Sequence, residues 1–341
     1  MKLSLISVMN DSKKDVEKYL KDLLEQDNQD FEIILCINKT NEEAEIINLI
    51  ANYQLYFNDR LISIYNSKNS SYQYNLMSAF QIAKGDFVAT LNTDVSLKKY
   101  YVNKMITAAV KYDVDVLEFR PRIIGSIRWK PKQRNNIEEP TLTAKSKNII
   151  AYAYPFVFNK IFKKQLIKKI LSYKPLNTND TKMCVEINYI LLLESKNYMY
   201  LNYGIYREFF ESEIWFNSKR MLSSFDGIQK WITNSTSLEK YENELNYAKL
   251  YFFKLLLTAF LKETTILYRY VYQSEKKKIK ETRTKMWLQK HYELIEKIEK
   301  EYQKNKFELI NPYIHNKLNE VSLLLLDNKK LRKIGILSSL E

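Results

Sequence analysis

Five glycines among 341 residues leave neither a G-x-G-x-x-G fingerprint nor a Walker A loop, so glycine-cradled nucleotide binding is excluded. The chain has two histidines, His291 and His315, far from each other. That argues against a His-based zinc centre and against a Ser-His-Asp triad. The two cysteines, Cys36 and Cys184, fall in apolar runs and read as reduced core residues of a cytosolic protein. No apolar run approaches the ~20 residues of a membrane span. The best candidate, residues 251–261, contains Lys254 and is followed by Lys262 and Glu263. The first residues lead straight into a strand-like run with no signal-peptide pattern. The expectation is a protein that does not cross a membrane, although it can lie on one.

What the chain does have is ordinary core material and an uneven charge. Hydrophobic residues at 45% and charged residues at 28% suit a globular protein with one large domain or two smaller ones. Residues 120–174 hold fourteen Lys or Arg against Glu138 and Glu139, which is +12 of the chain's +14. Such a block suits an anion: lipid headgroups, phosphates or nucleic acid. No RNA-binding aromatic motif or recognition-helix pattern accompanies it, so nucleic acid is not the expected partner.

The first 120 residues alternate strand and helix patterns. Strands are expected at 2–8, 31–37, 61–65, 87–91 and 114–119, and helices at 16–26, 42–53, 72–83 and 99–112. Repeated βα units predict a mainly parallel, doubly wound sheet. Residues 121–140 read as a long basic loop, 149–158 as a strand, 160–171 as a helix, 181–195 as a buried helix and 198–206 as a strand. From about residue 213 the pattern is helical.

The segment Phe87 to Asp94 reads F-V-A-T-L-N-T-D, a short apolar run ending on Asn-x-Asp. Open α/β sheets bind ligands at the carboxyl ends of their strands. There Asp94, with an amide oxygen from Asn92, has the oxygen chemistry to hold a hard cation such as Mg²⁺ or Mn²⁺ against a diphosphate.

Several segments in order resemble family 2 glycosyltransferases of the GT-A fold. Ser7-Val8-Met9-Asn10 matches the P-V-Y-N-like end of the family's first strand. Residues 30–40, D-F-E-I-I-L-C-I-N-K-T, match N-F-E-I-I-L-V-D-D-G-S. Residues 83–95 match A-x-G-D-Y-I-x-F-L-D-S-D-D without a gap, and Asn159-Lys160 begins an N-K-hydrophobic-basic segment. The resemblance implies a GT-A α/β fold: a mainly parallel doubly wound sheet with helices on both faces, plus a C-terminal helical region. It implies a nucleotide-sugar-binding half over 1–120, an acceptor half over 121–212, and a helical, membrane-associating region over 213–341.

It also implies site roles. Val8, Asn10, Asn38, Asn92 and Asp94 fall where the family binds the nucleotide sugar, and Asp94 with Asn92 where it holds a divalent metal. The chain departs from the family at Ile37-Asn38, where paired acids are usual, and at Asn92 and Val95, where acids flank the motif. Counting to the family's Glu-Asp pair from one side points to Asp180, and from the other to Met183-Cys184 with Glu186 beside it. Both acids are candidates for the general base, and the apolar helix face around Glu186 favours it, because burial raises a carboxyl pKa toward that of a base. The implied reaction is inverting transfer from a UDP-type donor to a lipid or surface-glycan acceptor. Arg120, Arg122, Arg128, Trp129, Lys130 and Lys160 are expected to face that acceptor or an anionic membrane, which places the enzyme peripherally on the inner face of the cell membrane. The competing expectation is a catalytically weakened relative that binds a partner, since Asn38 and Asn92 replace acids.

Overall fold

A computed structural model describes residues 1–10, 12–66, 71–177, 181–210, 217–234, 238–263 and 275–341. The chain divides into two compact units. The first comprises Met1–Pro121, Asn136–Ser146 and Tyr154–Phe209, and the second Arg122–Asn135, Lys147–Ala153 and Phe210–Glu341.

The first unit is built on an eight-stranded sheet. Its strands are β1 (Leu3–Asn10), β2 (Phe31–Ile37), β3 (Leu61–Tyr65), β4 (Phe87–Thr90), β5 (Val116–Phe119), β7 (Thr141–Leu142), β8 (Lys160–Lys163) and β9 (Asn197–Leu201); β6 (Ile123–Gly125) belongs to the second unit. The order is β3-β2-β1-β4-β8-β5-β9-β7. The pairs β1–β2, β1–β4, β2–β3 and β5–β9 are parallel, while β8 runs antiparallel between β4 and β5. All seven residues of β2 are buried, the mark of a central strand covered on both faces.

The connecting helices form for local reasons. Helix α1 (Lys13–Leu24) starts at Ser12, whose side chain accepts from the Asp15 amide, and buries Val16, Tyr19, Leu20 and Leu23. Each such apolar side chain contributes ~1.5–3 kcal/mol when fully buried. Helix α3 (Tyr72–Ile82) is capped in the same way by Ser71. Helices α2 (Glu43–Phe57) and α4 (Tyr101–Tyr112) complete the βα units.

One turn sets the register of β4. At Gly85 an added Cβ would stand 2.6 Å from the Ser4 amide nitrogen, so only glycine lets the turn close over β1. The buried Glu32 carboxylate accepts from Ser4 Oγ at 2.6 Å and from the Gly85 amide at 3.1 Å. Strand β4 thereby begins beside Leu3, which fixes where Asn92 and Asp94 emerge.

Two expectations fail in the middle of the chain. Residues 149–158 are not a strand: α5 (Asn148–Tyr152) is followed by an irregular stretch in which the rings of Tyr154, Phe156 and Phe158 stack with centroids 6.3 and 4.8 Å apart. Every residue of that run is buried, so it shows no periodicity from which to choose helix or strand. Residues 160–163 are not helical but form β8, and only Lys164–Lys168 make a helix, α6. Pairing with strands on both sides overrides a local preference four residues long.

The second unit is helical, with α8 (Ser218–Asn234), α9 (Leu238–Leu250) continuing as a π-helix over Tyr251–Leu257, and α10 (Glu275–Lys304). Its charged centre is Arg134, which grips both Glu320 oxygens at 2.6 and 2.9 Å and lies 3.4 Å over the Tyr251 ring. His291 bridges Ser218 and Thr258 at 2.6 and 2.9 Å, and burial holds it neutral, lowering its pKa to about 3.

Candidate active site

The carboxyl ends of β1, β2 and β4 lie side by side at one end of the sheet, and asparagines knit them together. Asn10 donates to the Cys36 carbonyl at 2.9 Å and to the Ser7 carbonyl at 3.1 Å, tying β1 to β2. Asn75, on α3, donates to the Val8 carbonyl at 2.7 Å and to Asn38 Oδ1 at 3.2 Å, while Asn66 donates to the same Asn38 oxygen at 3.0 Å. Asn92 Oδ1 accepts from the Val8 amide at 3.4 Å. Val8, Asn38 and Asn92 are thus joined through one hydrogen-bonded network, with Asn10 at the end of the same β1 strand.

Beside Asp94 lies a cation the sequence reading missed. Lys182 Nζ donates to Asp94 Oδ2 at 2.7 Å, to Glu208 Oε1 at 2.9 Å and to the Phe209 carbonyl. Asn92 Nδ2 donates to the same Glu208 oxygen at 3.1 Å. Glu208 opens β10 (Glu208–Phe210). Asp94 Oδ1 and Glu208 Oε2 are buried without a hydrogen-bond partner among the described residues. Burial opposes the charge on Lys182, but the Glu208 and Asp94 carboxylates win and hold its pKa above the ordinary lysine value. Burial and then the Asp94 charge, partly offset by Lys182, push Glu208 above the usual carboxylate range.

The two base candidates have different fates. Glu186, in the first turn of α7 (Val185–Glu194), is fully buried with both oxygens engaged. Oε1 accepts from the Tyr173 hydroxyl and, at 2.7 Å, from the Leu176 amide; Oε2 accepts from the Asn177 amide at 3.0 Å and Gln73 Nε2 at 3.2 Å. A carboxylate with four donors is an anchor for the 173–177 loop, since its basic lone pairs are already used. Asp180 lies outside the described residues.

The expected acceptor-facing set does not form one surface. Lys160 is fully buried: its ammonium donates to the Tyr154 and Phe156 carbonyls, each at 2.7 Å, and stands 3.3 Å from Glu118. Burial lowers its pKa to about 8 against the pull of Glu118. Trp129 is also buried, edge-on to Phe260 with centroids 6.2 Å apart, because it alternates inward along an extended segment that bridges Ile123. The same alternation turns Arg122, Arg128 and Lys130 outward; Arg120, in the first unit, is half-buried.

The family resemblance implies a divalent metal on Asp94 and Asn92, so the donor set can be tested against one. It does not fit as it stands. Among the described residues no three His, Cys, Asp or Glu side chains cluster to hold a metal ion. The Asn92 carbonyl oxygen faces the Val8 amide, and its NH₂ faces Glu208. The two carboxylates are bridged by an ammonium, which repels a dication at the same spot.

Comparison with known proteins bears on the segment that builds this sheet. Residues 4–171 match the model of the family described as glycosyl transferase family 2. No curated protein sequence matches the chain. Among solved structures, that of S. aureus TarS superposes with a TM-score of 0.58 at 16% identity, over 80% of this chain and 50% of that one. This chain therefore spans about half the length of that TarS chain. The structure of TarS 1–349 in complex with UDP gives 0.57 at 17% identity, over 81% of this chain and 77% of that one. Both likenesses concern the fold. Residues 4–171, on which the mostly parallel sheet is largely built, therefore form a glycosyl transferase family 2 region, and its fold is shared with the TarS structures.

Proposed function

We propose that the chain transfers a sugar from a uridine diphosphate donor to a hydroxyl acceptor with inversion at the anomeric carbon. The observation that supports this best is the set of strand ends of β1, β2 and β4, where Asn92 and Asn75 both bond Val8 and Asp94, on the ammonium of Lys182, is 23% exposed and so can meet a ligand. The UDP complex of TarS 1–349 supports the choice of base. In this reading Val8, Asn10 and Asn38 line the nucleotide subsite, and Asn92 and Asp94 the diphosphate. The acceptor oxygen attacks the anomeric carbon opposite the diphosphate, the bond to the phosphate oxygen breaks, UDP leaves, and a carboxylate takes the hydroxyl proton. Glu186 has no basic lone pair left for that step, so the role goes to Asp180.

The acceptor is a lipid or surface glycan presented at the inner face of the cell membrane, where the exposed Arg122, Arg128 and Lys130 meet anionic headgroups. Each such basic residue contributes ~1 kcal/mol near an anionic surface. Among the described residues no helix is long and apolar enough to cross a membrane, which is compatible with peripheral attachment.

Ligands that bind the folded state raise its melting temperature. UDP is expected to stabilise the protein more than ADP, GDP or CDP do, and Asp94→Ala to remove that shift. Hydrolysis of UDP-sugars is expected to speed up with anionic vesicles and to fall at least a hundredfold in Asp180→Asn. No shift with any nucleotide, or an Asp94→Ala variant that behaves as wild type, would sink the reading.

A further inference from the structure

The corner holding Asp94 already contains a cation that belongs to the chain. We infer that the Lys182 ammonium is the resident cation of this site, standing where a divalent ion would have to bind, so that a nucleoside diphosphate binds here without one. The inference rests on the donor site proposed above and concerns what balances its charge.

Three observations carry it. The Lys182 side chain is 3% exposed, and all three of its protons have acceptors: Asp94, Glu208 and the Phe209 carbonyl. An ammonium so buried is fixed in place, unlike a surface lysine that swings away to admit a metal. Next, Asn92 turns its NH₂ toward Glu208, not its carbonyl oxygen, so the uncharged member of the Asn-x-Asp triplet offers a donor where a cation needs an acceptor. Last, the partnerless oxygens, Asp94 Oδ1 and Glu208 Oε2, belong to carboxylates whose other oxygen is on Lys182. They are the ligands a metal would use, and the ammonium lies between their owners. Of these acceptors among the described residues the Phe209 carbonyl alone is neutral. A phosphate oxygen can replace it on the ammonium while both carboxylates keep their counter-ion. Lys182 then meets the leaving diphosphate, a role in which a fixed cation is most effective because it needs no reorganisation.

The test separates this inference from the donor reading. Manganese binding to the nucleotide-free protein is measured by the electron paramagnetic resonance signal of free Mn²⁺. Wild type and Lys182→Arg are expected to leave millimolar Mn²⁺ free. Lys182→Met is expected to gain a site at least tenfold tighter, which Lys182→Met with Asp94→Asn loses. In parallel, UDP affinity of the wild type is expected to change less than twofold between EDTA and Mn²⁺. Wild-type Mn²⁺ binding that disappears in Asp94→Asn, or a tenfold loss of UDP affinity in EDTA, overturns the inference. If UDP binds under neither condition the donor reading fails, and the manganese titration still decides the role of Lys182. If Lys182→Met does not fold, wild type and Lys182→Arg carry the decision.

Discussion

Among its described residues the first unit buries two lysine ammoniums, and they are built in opposite ways. Around Lys160 every group is answered. Its partners are the Tyr154 and Phe156 carbonyls, Asn159 Oδ1 and Glu118. Glu118 in turn accepts from the Tyr154 amide at 2.8 Å, Asn159 Nδ2 at 3.0 Å and the Tyr198 hydroxyl at 2.8 Å. Among the described residues, Lys182 has two carboxylates for one cation, and two of their oxygens have no partner. A saturated polar network specifies a core, whereas an unsaturated one keeps capacity for a ligand. The opposite pKa directions say the same: neutral carbonyls and one carboxylate do not offset burial at Lys160, and two carboxylates more than offset it at Lys182.

The sharpest way to break the comparison is to remove each ammonium. Lys160→Met leaves Glu118 charged, fully buried and without its counter-ion, and breaking a buried pair from one side costs ~3–5 kcal/mol. That loss is expected in urea unfolding of the purified protein, with no selective change in nucleotide affinity. A variant within 1 kcal/mol of wild type, on the order of a neutral surface change, would show that the Lys160 network is not structural.

Lys182→Met is expected to cost less, ~1–3 kcal/mol, because Asp94 is partly open and can recover water. Its larger effect belongs on UDP binding, with affinity falling at least tenfold. The comparison fails if Lys182→Met destabilises as much as Lys160→Met and leaves UDP affinity intact.

How much of this was legible in the chain follows from what each residue needs to be recognised. The βα repeats and the Asn-x-Asp strand end came through because they depend on local pattern: apolar runs of strand length, Ser caps and the Gly85 turn. The 149–163 stretch did not, because its uniform burial erases periodicity and β8 is decided by strands far away in sequence. Lys160 and Trp129 were read as surface from composition, since a basic block does not reveal which members point inward. Lys182 left one signal, a lysine at the head of the largely apolar stretch 183–193, between the two counts for the base. Glu208 left less, being an acid in a short aromatic strand. Asn66 and Asn75 join Asn38 only through the folded chain, so their sequence positions carry no hint of the cluster.

A smaller effect gives the finest test, through pH. Lys160 is lowered to about 8 from an unfolded value of 10.5. Below pH 8 both states hold the proton, and the cost of burying the charge is present in full. Between about 8 and 10.5 the unfolded state binds more protons, so the Lys160 contribution to stability rises with pH, by at most ~1.4 kcal/mol per unit. Lys182, raised above 10.5, contributes stability that is complete below that value and declines only above it. Unfolding free energies at pH 8, 9 and 10 are therefore expected to show a wild-type minus Lys160→Met difference that shifts toward wild type as pH rises. The wild-type minus Lys182→Met difference is expected to stay flat over the same window. If the two differences move in parallel, the distinction between a saturated and an unsaturated lysine site does not govern their charge.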